Sequence, residues 1–265
     1  MMGLDRRKFL KIAGVSALGL GAKPALDLLF GQMIEVHAQE EKPPLVKAQT
    51  WAMVVDLKKL TEEDCRRAVE ACHREHNVPN IRRVDGSVNH KEEIKWIWTE
   101  GFEHAFPGQA FEYVNHELEE KPLLVLCNHC TDPPCVRVCP TKATFKREDG
   151  IVMMDMHRCI GCRFCMAGCP YGSRSFNWGD PRPYIAKLNP GYPTRTKGVV
   201  EKCTFCFDRL SKGQHPACVE ACESGALVFG DLANPDSEVR TLLSERYALR
   251  RKPELGTGPN VYYLM

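Results

Sequence analysis

The sequence predicts an α+β fold of short helices, β-hairpins and long loops built around cysteine-bearing turns. Three observations predict it. Two cysteine runs share one register: Cys127, Cys130, Cys135 and Cys139 before Pro140, then Cys159, Cys162, Cys165 and Cys169 before Pro170. Between them, residues 143–146 and 151–154 flank Asp149-Gly150, a hairpin signal. A later run, Cys203, Cys206, Cys218 and Cys222, repeats the pattern with a wider second gap.

The elements follow in chain order. Asp5-Arg6-Arg7-Lys8-Phe9-Leu10-Lys11 is a twin-arginine motif, residues 12–22 are modestly apolar, and Val36-His37-Ala38 offers a small residue for cleavage before Gln39. An exported precursor is the expectation, with an amphipathic basic helix as the alternative. Residues 39–50, with Pro43-Pro44, read as a linker. Trp51-Ala-Met-Val-Val-Asp56 is β-branched and apolar enough for a short strand. Thr61-Glu-Glu-Asp64 is a capping box that opens a helix running to about His76, with Cys65, Ala68 and Cys72 on one face and Asn77-Val-Pro79 ending it. Residues 94–98 and 102–113 read as strand and irregular structure whose aromatics pack in the core. The apolar residues 123–126 enter the first cysteine loop. Met153, Met154 and Met156 read as core, or as lining a metal cage. Residues 171–198 are rich in proline, glycine and aromatics, a long loop of the kind that often carries function; partner docking and simple packing are both open. Residues 226–229 offer a second hairpin, and residues 254–264 an extended tail laid over the body.

The central runs carry the chemistry. Three closely spaced cysteines cap three corners of one cube, and the fourth, a helical turn further on, points to a neighbouring cube; this is the bacterial ferredoxin pattern for [4Fe–4S] clusters. Zinc also takes four cysteines, but commonly as two separated C-x2-C pairs. Disulfides suit an exported chain, yet this crowding favours a metal cage. The 265 residues include fourteen cysteines, and a net charge of +2 without a basic run gives no sign of nucleic-acid binding. No stretch reaches the ~18 apolar residues needed to cross a bilayer, so the expectation is a soluble protein or one held to a membrane by a partner. No glycine-rich dinucleotide fingerprint is present.

Taken together, the chain resembles the ferredoxin-type electron-transfer subunits of membrane-bound molybdenum and quinone-linked oxidoreductases. The phrases Val199-Val-Glu-Lys-Cys203-Thr-Phe-Cys206 and Gly230-Asp-Leu-Ala-Asn-Pro-Asp-Ser-Glu-Val239 are also typical of them. The resemblance implies four cysteine motifs in two pseudo-symmetric, ferredoxin-like halves. It implies residues 123–180 as one unit, residues 51–79 plus 198–230 as the second, and residues 231–265 as a C-terminal tail, all within an iron–sulfur region at 39–265 after a signal at 1–38. Motif one departs from the pattern. Aligned on Cys72-His-Arg-Glu-His-Asn-Val-Pro79, it keeps Cys65 and Cys72 but has Glu62 and Ala68 at the other two ligand positions. The resemblance then implies three [4Fe–4S] clusters on Cys72, Cys127, Cys130, Cys135, Cys139, Cys159, Cys162, Cys165, Cys169, Cys203, Cys206 and Cys218. By the ferredoxin exchange Cys72 completes the cage of Cys203, Cys206 and Cys218. Cys65 and Cys222 are left over, buried or joined as a disulfide; Cys222 in place of Cys72 is the alternative.

Within the family the chain is similar to the iron–sulfur subunits of heterodisulfide-reductase-like menaquinol oxidoreductases associated with sulfite reductase. That implies an electron relay on the outer face of the cytoplasmic membrane, between a multi-pass quinone-binding subunit and a multihaem cytochrome c. A different exported oxidoreductase, such as a molybdenum enzyme, is the alternative, beside an enzyme subunit with its own substrate site and a structural zinc protein. Beside the ligands, Lys142, Arg163 and Lys202 either raise cluster potentials or are simply solvated, the simpler reading; His129 either bonds a cluster sulfur or packs in its loop.

Overall fold

The apolar run Trp51-Ala-Met-Val-Val-Asp56 suits a strand covered on both faces, and it forms β1 (Trp51–Asp56), buried from its second residue on. A computed structural model describes residues 49–83, 85–108 and 121–265, all within one compact unit. The expected signal at 1–38, most of the linker and residues 109–113 of the aromatic stretch lie outside the described residues. α1 (Glu62–Glu75) starts at its capping box: the Thr61 hydroxyl accepts from the Asp64 amide while the Asp64 carboxylate accepts from the Thr61 amide. Its buried face carries Asp64, Cys65, Ala68, Ala71 and Cys72.

β2 (Ile97–Glu100) pairs antiparallel with β3 (Leu123–Leu126), all four residues of which are buried. Between them, in a stretch read as strand and irregular structure, lies a single helical turn, α2 (Phe102–Ala105), which buries Phe102 and Ala105. α3 (Pro134–Arg137) follows the first cysteine loop. β4 (Thr144–Lys146) and β5 (Val152–Met154) form the Asp149-Gly150 hairpin, Gly150 taking φ +83°. α4 (Phe164–Ala167) follows the second loop and packs against α3.

The long loop at 171–198 is pinned at both ends. β6 (Ser175–Phe176) pairs with β7 (Val200–Glu201), and Arg195 returns to the C-terminus of α1, donating to the carbonyls of His76 and of Asn77, the latter at 2.7 Å. Helix ends leave carbonyls unpaired, and this loop supplies the donors. Its surface exposes Trp178, Tyr184 and Leu188. α5 (Phe207–Leu210) and α6 (Ala217–Glu220) flank the third cysteine run, with α6 packed on α1.

Two expectations are corrected by the remainder. Residues 226–229 make no local hairpin: β8 (Leu227–Asp231) pairs antiparallel with β1, matching Met53 to Phe229. After α7 (Glu238–Glu245) and β9 (Ala248–Leu249), the end of the chain is not a tail on the surface. β10 (Val261–Leu264) lies between β1 and β9, parallel to β1, in a sheet of order β8-β1-β10-β9. Val261, Tyr263 and Leu264 are fully buried, because Val-Tyr-Tyr-Leu fills the strand position that β1 leaves open. Among the described residues no helix is long and apolar enough to cross a membrane.

Candidate metal centres

Each cysteine run is shaped by the same local device. The first two cysteines lie in an irregular loop, the third is the second residue of a four-residue helix, and the fourth follows that helix. Cys135 holds this place in α3, Cys165 in α4 and Cys218 in α6. The loops need backbone that ordinary residues rarely adopt. Phe205 and Cys206 both take φ +52°, and Gly161 takes φ +71°, where a Cβ would sit 2.5 Å from the Gly198 carbonyl oxygen.

The fourth cysteine of each central run turns away from its own loop. One cavity is lined by Cys159, Cys162 and Cys165 with Cys139 of the preceding run. A second is lined by Cys127, Cys130 and Cys135 with Cys169 of the following run. Met154 lines the first cavity and also accepts the Thr144 hydroxyl. A third set gathers around Cys72: Cys206, Cys203 and Cys218 all bear electrostatically on it, after burial the main influences that push its thiol well above the usual range. Cys65 instead neighbours Cys222. Both are buried free thiols, and burial, with Asp64 and Cys222 nearby, pushes Cys65 up to about 11. An open groove of about 990 Å³ beside α1 includes Cys65 as its one cysteine.

The donor chemistry fits a cluster. Burial pushes Cys130, Cys203 and Cys218 up to about 12, so as bare thiols they would stay protonated; a coordinated metal removes that proton outright. Among the described residues no three His, Cys, Asp or Glu side chains converge as for a single ion; the cysteines surround volumes. Amide donors reach sulfur at Thr144 N to Cys139 (3.5 Å), Phe205 N to Cys203 (3.4 Å) and Ala217 N to Cys206 (3.4 Å).

The three sets are adjacent in series. Cys135 bears on Cys165, linking the two cavities, and Cys127 bears on Cys203, linking the second cavity to the third set. One end of the series is at the surface, where Cys162 is exposed beside Ile160 and Phe164, which are 67% and 60% exposed.

The charged neighbours sort differently from the simpler sequence reading. Arg163 lies over Trp178, 4.7 Å from the ring centroid, and Lys142 is exposed. Lys202 is not solvated at all: it is fully buried and donates to the Cys203 carbonyl. His129 makes no sulfur bond; its Nδ1 accepts the Val152 amide at 3.1 Å and its ring stacks on Phe205 at 3.7 Å. Burial, with Lys202 and Arg174 nearby, holds the His129 ring well below its usual range and hence neutral. Two groups carry no signal in the sequence. Arg174 is buried and donates to Cys135 Sγ at 3.0 Å. Arg195 pairs with Glu201 at 2.7 Å, both fully buried, and Glu201 also accepts from Trp96 and Asn177. No spacing marks either one, because their partners are brought together only by the fold.

Comparison with known proteins supports iron–sulfur chemistry for these cysteine loops. The model of the 4Fe-4S dicluster domain matches residues 123–182 and again residues 183–232. The chain is 41% identical to the Hdr-like menaquinol oxidoreductase iron-sulfur subunit 1 of Archaeoglobus fulgidus, over 98% of this chain and 97% of that one. It is 38% identical to the menaquinone reductase iron-sulfur cluster-binding subunit of Nitratidesulfovibrio vulgaris, over 81% and 88%. It is 37% identical to the arsenate respiratory reductase iron-sulfur subunit of a Shewanella species, over 80% and 94%.

Proposed function

The chain belongs to the 4Fe-4S dicluster family of iron–sulfur electron-transfer subunits of oxidoreductase complexes, and from that premise we propose that it holds three [4Fe–4S] clusters in series and relays single electrons between a quinol-reactive membrane subunit and a second redox subunit such as a multihaem cytochrome c. The observation that carries this reading is the grouping of cysteines into three neighbouring sets of four. The first cage is Cys139, Cys159, Cys162 and Cys165. The second is Cys127, Cys130, Cys135 and Cys169, and the third is Cys72, Cys203, Cys206 and Cys218. Cys65 and Cys222 bind no iron. We read the two halves as a pseudo-symmetric pair of ferredoxin-like units, the outer one having lost a cage.

Bound clusters supply one-electron carriers. The protein supplies the thiolates, the amide donors to sulfur that favour the more negative reduced state, and the burial that sets each potential. The exposed end of the series at Cys162 supports electron exchange with a partner on that face. The quinol link draws support from the menaquinol and menaquinone relatives. A second reading, a subunit of a different exported oxidoreductase such as a molybdenum enzyme, draws on the similarity to the iron–sulfur subunit of the arsenate respiratory reductase.

Iron and sulfide analysis of anaerobically purified protein tests the cluster count, with about twelve irons per chain expected from four per cube. A value near sixteen would restore a cage to motif one, and one near eight would remove the third set. We also place the mature chain on the outer face of the cytoplasmic membrane, attached through its partner. The motif Arg6-Arg7 supports twin-arginine export. Replacing both with lysine should leave uncut precursor in the cytoplasm, while the wild type is cut after Ala38. Normal processing of the double variant would remove the export assignment.

A further inference from the structure

We propose that Arg174 is a fixed buried charge shared by two adjacent clusters, raising the potentials of both together. The inference rests on the cage assignment given under the proposed function. Arg174 sits in the turn before β6 and is 4% exposed. Its guanidinium is a rigid fork. Nη2 donates to Cys135 Sγ at 3.0 Å, in the second cage, and Nη1 donates to Thr144 Oγ1 at 3.1 Å, which holds the plane in place. The same charge also bears on Cys165 of the first cage. One side chain therefore donates to a ligand of the second cube and, through Nη1, reaches at 3.9 Å the Sδ of Met154, which lines the cavity of the first.

Its charge balance supports the assignment. Among the described residues no carboxylate lies within ion-pair distance of Arg174, whereas buried Arg195 is paired with Glu201. A lone buried cation is strongly unfavourable unless an opposite charge compensates it. The anionic groups bearing on Arg174 are the thiols of Cys135, Cys165 and Cys127, which are thiolates once iron is bound. Each four-thiolate cage then carries net negative charge, and reduction adds one more unit. A nearby fixed cation stabilises the reduced state more than the oxidised state, so it raises the potential. Arginine keeps its proton at any working pH, so the effect does not titrate away. A purely architectural role, anchoring the turn to Thr144, would predict no such pairing of potentials.

EPR-monitored redox titration of the iron-loaded protein distinguishes these. In Arg174→Gln, iron content should match wild type, the potentials of two clusters should move to more negative values together, and the third should stay. Arg174→Lys, which keeps the charge but cannot reproduce the fork, should move the same two by a smaller amount. A loaded Arg174→Gln with unchanged potentials, or with one cluster moved alone, overturns the proposal. If Arg174→Gln fails to take up iron, Arg174→Met, uncharged and of similar length, decides by the same criterion: the same two clusters move to more negative values, or the proposal is wrong. Wild-type protein without iron–sulfur signals would instead sink the cluster reading itself, a result separable from the fate of either variant.

Discussion

Residue by residue, the sequence speaks clearly where a ligand set is local and weakly where it is not. Cys127 to Cys139 and Cys159 to Cys169 were legible because each run fits within a short stretch of backbone. Cys72 was not legible from spacing. It lies far from Cys203 in the chain, and only the resemblance to a family with exchanged fourth cysteines assigned it. In the structure Cys72 neighbours Cys206, Cys203 and Cys218, while Cys65 keeps company with Cys222. The expected consequence is that Cys72→Ala loses about four irons per chain, the content of one cube, whereas Cys222→Ala and Cys65→Ala retain the wild-type content. A full complement in Cys72→Ala, with loss in Cys222→Ala, would reverse the assignment. Lys202 teaches the opposite lesson. A lysine beside a ligand reads equally well as solvated, and nothing short of the fold places it at zero exposure.

At the scale of elements, the same rule separates α1 and the β4–β5 hairpin from the central sheet. A capping box and an Asp-Gly turn close within a few residues, so their partners are visible in the sequence. The partners of β8 and β10 lie far upstream in β1, and short apolar runs do not announce such pairings. Asp64 belongs to both classes. Burial alone would raise its carboxyl, but Thr61 and the Ser224 region donate hydrogen bonds that outweigh it and hold it at about 2, against an ordinary 3.8. It thereby ties the start of α1 to the turn after Cys222. A carboxyl depressed on folding contributes stability above its unfolded pKa and loses it as pH falls through the folded value. Asp64→Asn should therefore lower stability by about 1–2 kcal/mol at neutral pH. In anaerobic denaturation series the gap from wild type should stay constant down to about pH 4 and close below it, as the wild type loses its advantage. A gap unchanged at pH 3 would show that the carboxylate's charge is not the source.

For the molecule as a whole, the last residues of the chain hold the first central cysteine loop in place. Asn260 donates from Nδ2 to the His129 carbonyl at 2.8 Å and from its amide to the Asn128 carbonyl at 2.8 Å, while its own carbonyl accepts the Met53 amide of β1. Beside it, the Thr131 and Asp132 amides donate to the carbonyls of Gly258 and Thr257. Tyr263 follows in β10, fully buried, its hydroxyl donating to the Leu124 carbonyl at 3.2 Å. The loop carrying Cys127 and Cys130 is thus clamped between the sheet and a segment from the far end of the chain. Asn260→Ala keeps the backbone bonds but removes the side-chain donor from a buried carbonyl, a change worth about 1–3 kcal/mol. The variant should fold and take up iron, yet release it faster to a chelator, with about four irons leaving in an early phase and the rest at the wild-type rate. Uniform release of all the iron, or release at the wild-type rate, would mean that the C-terminal clamp does not act on the second cage.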